Sequence, residues 1–226
     1  EAAVLAALVA MLVGMLVCGG IGQAVAAQPV TPQAPQPEPH HARALGEAAS
    51  RNAQDVAAWI AASGDNAGLP FIIVDKLDAK IFVFDAQSAL RGAAAALLGL
   101  GRGDETVPGI GQRRLATIRP EERTTPAGRF VAALGRDFVQ DVLWVDYDTA
   151  LSLHRVVVGS AADRRHARLA SPTPLDNRIS YGCINVPADF YDRVVAPAFK
   201  GTVGIVYILP ETKPIDTVFA MRPARP

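Results

Sequence analysis

Short apolar strands without regular helices between them predict a mainly β domain with minor α content, an antiparallel sheet folded as a sandwich or barrel. Two properties of the whole chain agree. Half of its 226 residues are apolar and 19% are charged, which suits one ordinary core with appendages and excludes a mostly disordered chain. Two cysteines cannot make a disulfide scaffold. With 22 basic and 22 acidic residues the net charge is zero, so the electrostatic footprint of a nucleic-acid binder is missing.

The elements follow in order. Ala2 to Val17 is an uncharged apolar run, and Ala24-Val25-Ala26 supplies small residues after it, the pattern of a secretory signal over residues 1–26. The rival readings are an uncleaved anchor over Ala2 to Ile21 and a lipoprotein acylated at Cys18. All three export the remainder to the periplasm or cell envelope, with membrane contact only through this segment. Residues 27–41 are a Pro- and Gln-rich spacer. Its adjacent His40 and His41 are read as solvated and not as metal ligands. Residues 42–64 show helical spacing through Leu45, Val56 and Ile60, stopped by Gly64.

The main domain spans 69–210. Residues 71–76 and 79–85 are Ile-, Val- and Phe-rich and flank Leu77-Asp78, which reads as a hairpin. Further strands are expected at 129–133, 142–147, 150–158 and 203–208. One helix is expected from Pro187 to Phe199, with Tyr191, Val194 and Val195 as its buried stripe. The glycines of 99–111 fit no G-x-G-x-x-G spacing and are read as a surface loop, and Arg102-Gly103-Asp104 as a chance triplet. No His-Glu-x-x-His and no second cysteine near Cys183 suggest a zinc site, so neither metal nor cofactor is expected. Residues 211–226 are read as a tail of no assigned role.

Removing the first segment leaves Cys183 as the single exported thiol. It follows a glycine and sits among Asn177, Arg178, Ser180 and Asn185, the setting of a nucleophile. A resting thiol is mostly protonated at neutral pH and needs a base beside it. The domain offers His154 and His166. His154 closes the alternating run Ala150-Leu151-Ser152-Leu153-His154, where a strand would fix its ring, whereas His166 lies in an arginine-rich loop. His154 is therefore the expected base.

The stretches IIVDKLDAKIFVFD, TTPAGRF, LSLH, ISYGCINVP and GTVGIVYIL resemble the L,D-transpeptidases with the YkuD-type catalytic domain, over roughly residues 70–210. Ser180, Gly182, Cys183, Ile184 and Asn185 match that family's signature in order. Two departures stand out: Tyr181 occupies the place of a second histidine, and the stretch between His154 and Ser180 is longer than usual. Residues 159–174 are read as the insertion responsible, a candidate lid. The resemblance implies a YkuD-like β domain that crosslinks peptidoglycan. Stem tetrapeptides would be both acyl donor and acceptor, with Cys183 as nucleophile and His154 as general base and acid. It also implies oxyanion N–H groups in the turn through Tyr181 and Gly182, a backbone group at Arg155 orienting the imidazole, and support from Ser180 and Asn185. Arg164, Arg165, Arg168 and Arg178 are candidate binders of stem-peptide carboxylates. An L,D-carboxypeptidase or other hydrolase of the same fold would use the same residues, and a catalytically silent wall-binding module would use none of them. Papain-like peptidases run Cys before His, the reverse of the order here.

Overall fold

A computed structural model describes Leu45 and residues 49–221. The expected signal or anchor, the spacer and most of residues 42–48 lie outside the described residues. Among the described residues no helix is long and apolar enough to cross a membrane.

The first helix among the described residues, α1 (Arg51–Ser63), begins later than its periodicity suggests because Ser50 caps it, its Oγ accepting from the Ala53 N–H at 3.1 Å. Gly64 ends it in the left-handed region, with φ 69°. Ten strands follow among the described residues: β1 (Phe71–Asp75), β2 (Lys80–Phe84), β3 (Leu90–Ala95), β4 (Leu98–Gly99), β5 (Gly128–Arg136), β6 (Asp141–Asp146), β7 (Leu151–Arg155), β8 (Arg178–Ser180), β9 (Ile184–Val186) and β10 (Val203–Ile208). Eight of them form one sheet in the order β3-β2-β1-β10-β5-β6-β7-β9. The bridge from Leu97 to Asn185 in β9 brings the far edge back beside the end of β3, so the sheet nearly closes into a barrel. Pairing is mostly antiparallel, as expected, with parallel exceptions at β1–β10 and β7–β9.

The hairpin at Leu77-Asp78 forms as the sequence predicts. Asp75 Oδ1 accepts from both turn N–H groups, at 3.1 and 3.2 Å. β1 is buried along its whole length because both its faces are covered. Ile72 and Val74 point into the barrel, while Phe71 and Ile73 meet Val56 and Ile60 of α1 outside it. Burying each such aliphatic side chain contributes about 1.5–3 kcal/mol. The barrel interior also takes Tyr191, Val195 and Phe199. These belong to the helix after Cys183, which runs through α-turns Ala188–Phe190 and Ala196–Ala198 joined by a π-turn at Tyr191–Val195. Pro187 is its N-cap instead of its first helical residue. Gly92 of β3 allows this helix close: a Cβ there would lie 3.1 Å from the Phe190 ring.

Three expectations change. The strand expected over 150–158 stops at Arg155, because Val156 makes the last bond to Val186 and Pro187 then turns the partner chain into its helix. Gly99 is buried in β4 instead of lying in a surface loop, and pairs with β8. Residues 211–221 belong to the domain, and the rest of the expected tail lies outside the described residues. Backbone N–H groups of Glu211, Thr212 and Lys213 bind the Asp104 carboxylate at 2.7–2.8 Å, and Phe219 packs in the α1 core.

Candidate active site

β7 and β9 lie side by side in parallel, with Leu153 opposite Ile184 and His154 opposite Asn185. Side chains alternate along both strands, so Ser152, His154, Cys183 and Asn185 share one face. Cys183 is half-buried. Its Sγ accepts from Ser152 Oγ at 3.6 Å and donates to the Ala150 carbonyl at 3.5 Å. Ala150 itself sits in the left-handed region, with φ 55°, the kind of local strain that collects at functional sites.

His154 Nδ1 lies 2.7 Å from the carbonyl of Arg155. A carbonyl can only accept, so Nδ1 carries the proton and Nε2 is the basic nitrogen. Nε2 lies 3.4 Å from Asn185 Nδ2. The Arg155 guanidinium points elsewhere. It pairs with Asp141 and Asp192, at 2.9 and 2.5 Å, over the Tyr191 ring, which anchors the end of β7 and with it the carbonyl that orients the imidazole. Burial pushes the Cys183 thiol up, but hydrogen bonding and charge from His154, with Ser152, bring it net below its ordinary value. Burial pulls His154 down, and its interaction with Cys183 and the Arg155 carbonyl raises it overall. Both shifts favour thiolate and imidazolium. His166 is exposed on α2 (Arg165–Leu169).

The turn before Cys183 is tightly built. Ser180 Oγ accepts from the Gly182 N–H at 3.1 Å and donates to the Cys183 carbonyl at 2.6 Å. The Gly182 N–H is therefore already engaged, contrary to the expectation that it would face an oxyanion; Tyr181 and Cys183 supply the other N–H groups of the turn. Gly182 has φ 134°, and a Cβ there would stand 2.8 Å from the Thr124 carbonyl. The close approach it allows is to the protein's own chain. Tyr181 lies under Arg123, whose guanidinium carbon is 4.0 Å from the ring centroid.

The cleft over Cys183 is walled by Ile110, Arg113, Leu115, Ile118, Thr124 and Pro126 opposite Tyr181 and Gly182. These come from the irregular segment between β4 and β5, which the sequence reading left without a role, and not from the 159–174 insertion expected as a lid. Arg113 pairs with Glu122 at 3.0 Å, and the Arg113 and Arg119 contacts hold the Glu122 carboxyl down at about 2. Three of the four candidate carboxylate binders have internal partners. Arg165 binds Asp163 and Asn185 at 3.1 and 3.0 Å, and Arg168 binds the carbonyls of Asp163 and Asp176 at 2.7 and 2.5 Å. Arg178 binds Glu211 and the Lys76 carbonyl. Arg164 is exposed, away from the cleft lining.

Behind the turn lies a buried ionic cluster that sequence reading did not anticipate. Lys76 Nζ donates to Asp104 Oδ1 at 2.7 Å and to the carbonyls of Gly103 and Thr125 at 2.6 and 2.8 Å, and Glu211 joins it to Arg178. Asp104 is buried against Lys76 while Arg102 is exposed, so the Arg102-Gly103-Asp104 triplet does not present its carboxylate at the surface. Of the site residues the sequence did not single out, Ser152 was within its reach: its alternation with His154 places both on one face.

No protein-family model matches the chain, and no curated protein matches it. Among solved structures, the chain is similar in fold to the helical cell shape determining protein Pgp2 of Campylobacter jejuni, at 14% identity with a TM-score of 0.45, over 69% of this chain and 55% of that one. A lysine-to-alanine variant of the same protein gives 13% identity and a TM-score of 0.42, over 73% and 58%. The chain thus spans little more than half the length of these structures.

Proposed function

We propose that the chain is an exported, cysteine-dependent L,D-transpeptidase acting on peptidoglycan stem tetrapeptides. The observation that carries this reading is the pairing of Cys183 and His154 on one face of adjacent strands, with the imidazole oriented by the Arg155 carbonyl. His154 Nε2 takes the thiol proton, and the thiolate attacks the carbonyl of the third stem residue. The tetrahedral oxyanion faces backbone N–H groups of the turn, for which Tyr181 and Cys183 are the candidates. Its collapse breaks the peptide bond to the terminal D-Ala, which leaves with the proton from His154, and a thioester remains on Cys183. An amine of a second stem peptide attacks the thioester, loses a proton to His154 and restores the thiol. The Ser152 hydroxyl stabilises the thiolate by donating to its sulfur.

Incubating the protein with a disaccharide tetrapeptide and weighing the products tests this. A crosslinked dimer that disappears in Cys183→Ala and His154→Ala is the expected result. Release of D-Ala without a dimer would assign a carboxypeptidase instead. No reaction, together with no mass increase at Cys183 on exposure to a carbapenem, would overturn an acyl-enzyme mechanism altogether.

A further inference from the structure

Asn185 is held from two sides by partners that can bond it in only one sense. Arg165 Nη1, a donor, lies 3.0 Å from its Oδ1. The Cys183 carbonyl, an acceptor, lies 3.3 Å from its Nδ2. The amide therefore turns its oxygen toward α2 and its NH2 toward β7, where Nδ2 stands 3.4 Å from His154 Nε2. Nδ1 at the other end of the ring is fixed as a donor by the Arg155 carbonyl. An amide NH2 facing Nε2 suits a neutral imidazole, whose Nε2 accepts. It opposes an imidazolium, whose Nε2–H would meet a donor. The reversed amide would accept from Nε2–H and favour the imidazolium.

We propose that Arg165 is a positioning residue acting through Asn185: by holding Oδ1 it keeps the amide NH2 against His154 Nε2 and limits how far the resting thiol passes its proton to the imidazole. The lone thiol is thereby kept more protonated until substrate engages it. This rests on the reading of Cys183 and His154 as a nucleophile and base, and concerns their resting state, whatever the acyl donor.

The 159–174 insertion is built to hold Arg165 in place. The side chain is 12% exposed, and its Nε is paired with Asp163 Oδ2 at 3.1 Å. Asp163 in turn accepts from Ser160 Oγ at 2.9 Å. Gly159, with φ 59°, makes room for the pair, since a Cβ there would lie 2.7 Å from Asp163 Oδ2 and 3.0 Å from Arg165 Nε. Arg168 closes the segment onto Asp163 and Asp176. Charged or titratable groups that also act on His154 are Cys183, just before β9, and Asp137 in the β5–β6 turn. The Arg155 guanidinium is drawn off by Asp141 and Asp192. Arg165 makes its hydrogen bonds to Asp163 and Asn185 and not to any of these.

The test is the rate of Cys183 alkylation by iodoacetamide across about pH 5 to 9, read on the Cys183 peptide of the full chain by mass spectrometry so that Cys18 does not contribute. Arg165→Met should raise the rate near pH 6 by about threefold or more, a shift of the profile by about half a pH unit. Arg165→Lys, which can still donate to Oδ1, should restore the wild-type profile. In an Asn185→Leu background Arg165→Met should have no effect. An unmoved profile, a shift to higher pH, a rate loss in both the Met and Lys variants, or a shift that persists without Asn185 would each overturn the proposal. Peptidoglycan turnover is not part of this readout, so failure of the transpeptidase reading and failure of this one are separate results.

Discussion

The Thr125 hydroxyl donates to the Gly182 carbonyl at 2.7 Å and accepts from the Gly99 N–H at 2.9 Å. One buried side chain thereby joins β4, the segment leading into β5 and the residue before Cys183. Thr125 also offers its carbonyl to Lys76 Nζ, so the turn carrying Cys183 is braced against the ionic cluster behind it. Thr125→Val keeps the shape but leaves the Gly99 N–H and Gly182 carbonyl without this partner, at a cost of about 1–3 kcal/mol. Chemical denaturation should show that loss, and alkylation of Cys183 should slow as the turn loosens. Unchanged stability would mean that water replaces the hydroxyl.

Gly182→Ala should be more damaging to reaction than to folding. The φ of 134° is one that side chains rarely adopt, and the added methyl would meet the Thr124 carbonyl at 2.8 Å. Such strain costs of order 1–3 kcal/mol, and relieving it moves the Cys183 backbone off the thiol's position between Ser152 and Ala150. The expected result is a folded protein whose carbapenem acylation falls by about tenfold or more, a barrier change of about 1.4 kcal/mol, measured as the rate of mass increase.

The pH dependence follows from two opposite shifts. Cys183 is lowered and His154 raised by their mutual interaction against burial, so the reactive thiolate persists as pH falls below the ordinary thiol range near 8.5 and is lost only when the pair is protonated. In His154→Ala burial is opposed only by the Ser152 contacts, and the thiol moves up. The alkylation midpoint should move to higher pH, and the rate at pH 7 should fall several-fold. His166→Ala should leave the profile in place, because that side chain is exposed on α2. Reversal of these two outcomes would move the base to His166.

Much of this was legible beforehand because it is local. The alternation in LSLH placed His154 on a strand, and the β1–β2 hairpin followed from two β-rich runs around a turn. What escaped notice depends on long-range packing. β3 is LRGAAA, poor in strand-forming residues, and is a strand because β2 pairs with it and the helix after Cys183 needs its small surface. β8 and β9 are three residues each, too short for periodicity. The arginines of 159–178 read as a ligand surface because charge along a sequence does not reveal whether a partner folds back onto it. Asp163, Asn185 and Glu211 do so for Arg165 and Arg178. The tail looked idle for the same reason: its contacts are with Asp104, more than a hundred residues earlier.

That cluster yields the last expectation. Lys76, Asp104 and Glu211 have side chains at most 1% exposed, and Arg178 is 10% exposed, so two positive and two negative groups balance in the interior. Removing one member leaves an uncompensated buried charge, which costs about 3–5 kcal/mol, whereas replacing a whole ion pair by apolar groups is often neutral. Lys76→Met should destabilise by that amount in urea, and by more than Thr125→Val. Burial raises the Asp104 carboxyl, but the Lys76 ammonium, the Thr212 hydroxyl and the backbone N–H groups of Glu211 and Thr212 bring it well below the usual carboxylate range. A carboxyl lowered in the folded state adds stability above its unfolded value, near 3.9, and loses it as pH falls toward the folded one. The wild type should therefore lose stability with acid below about pH 4 more steeply than Asp104→Asn, in which this linkage is gone. Equal slopes in the two proteins would show that Asp104 does not carry the acid sensitivity of the fold.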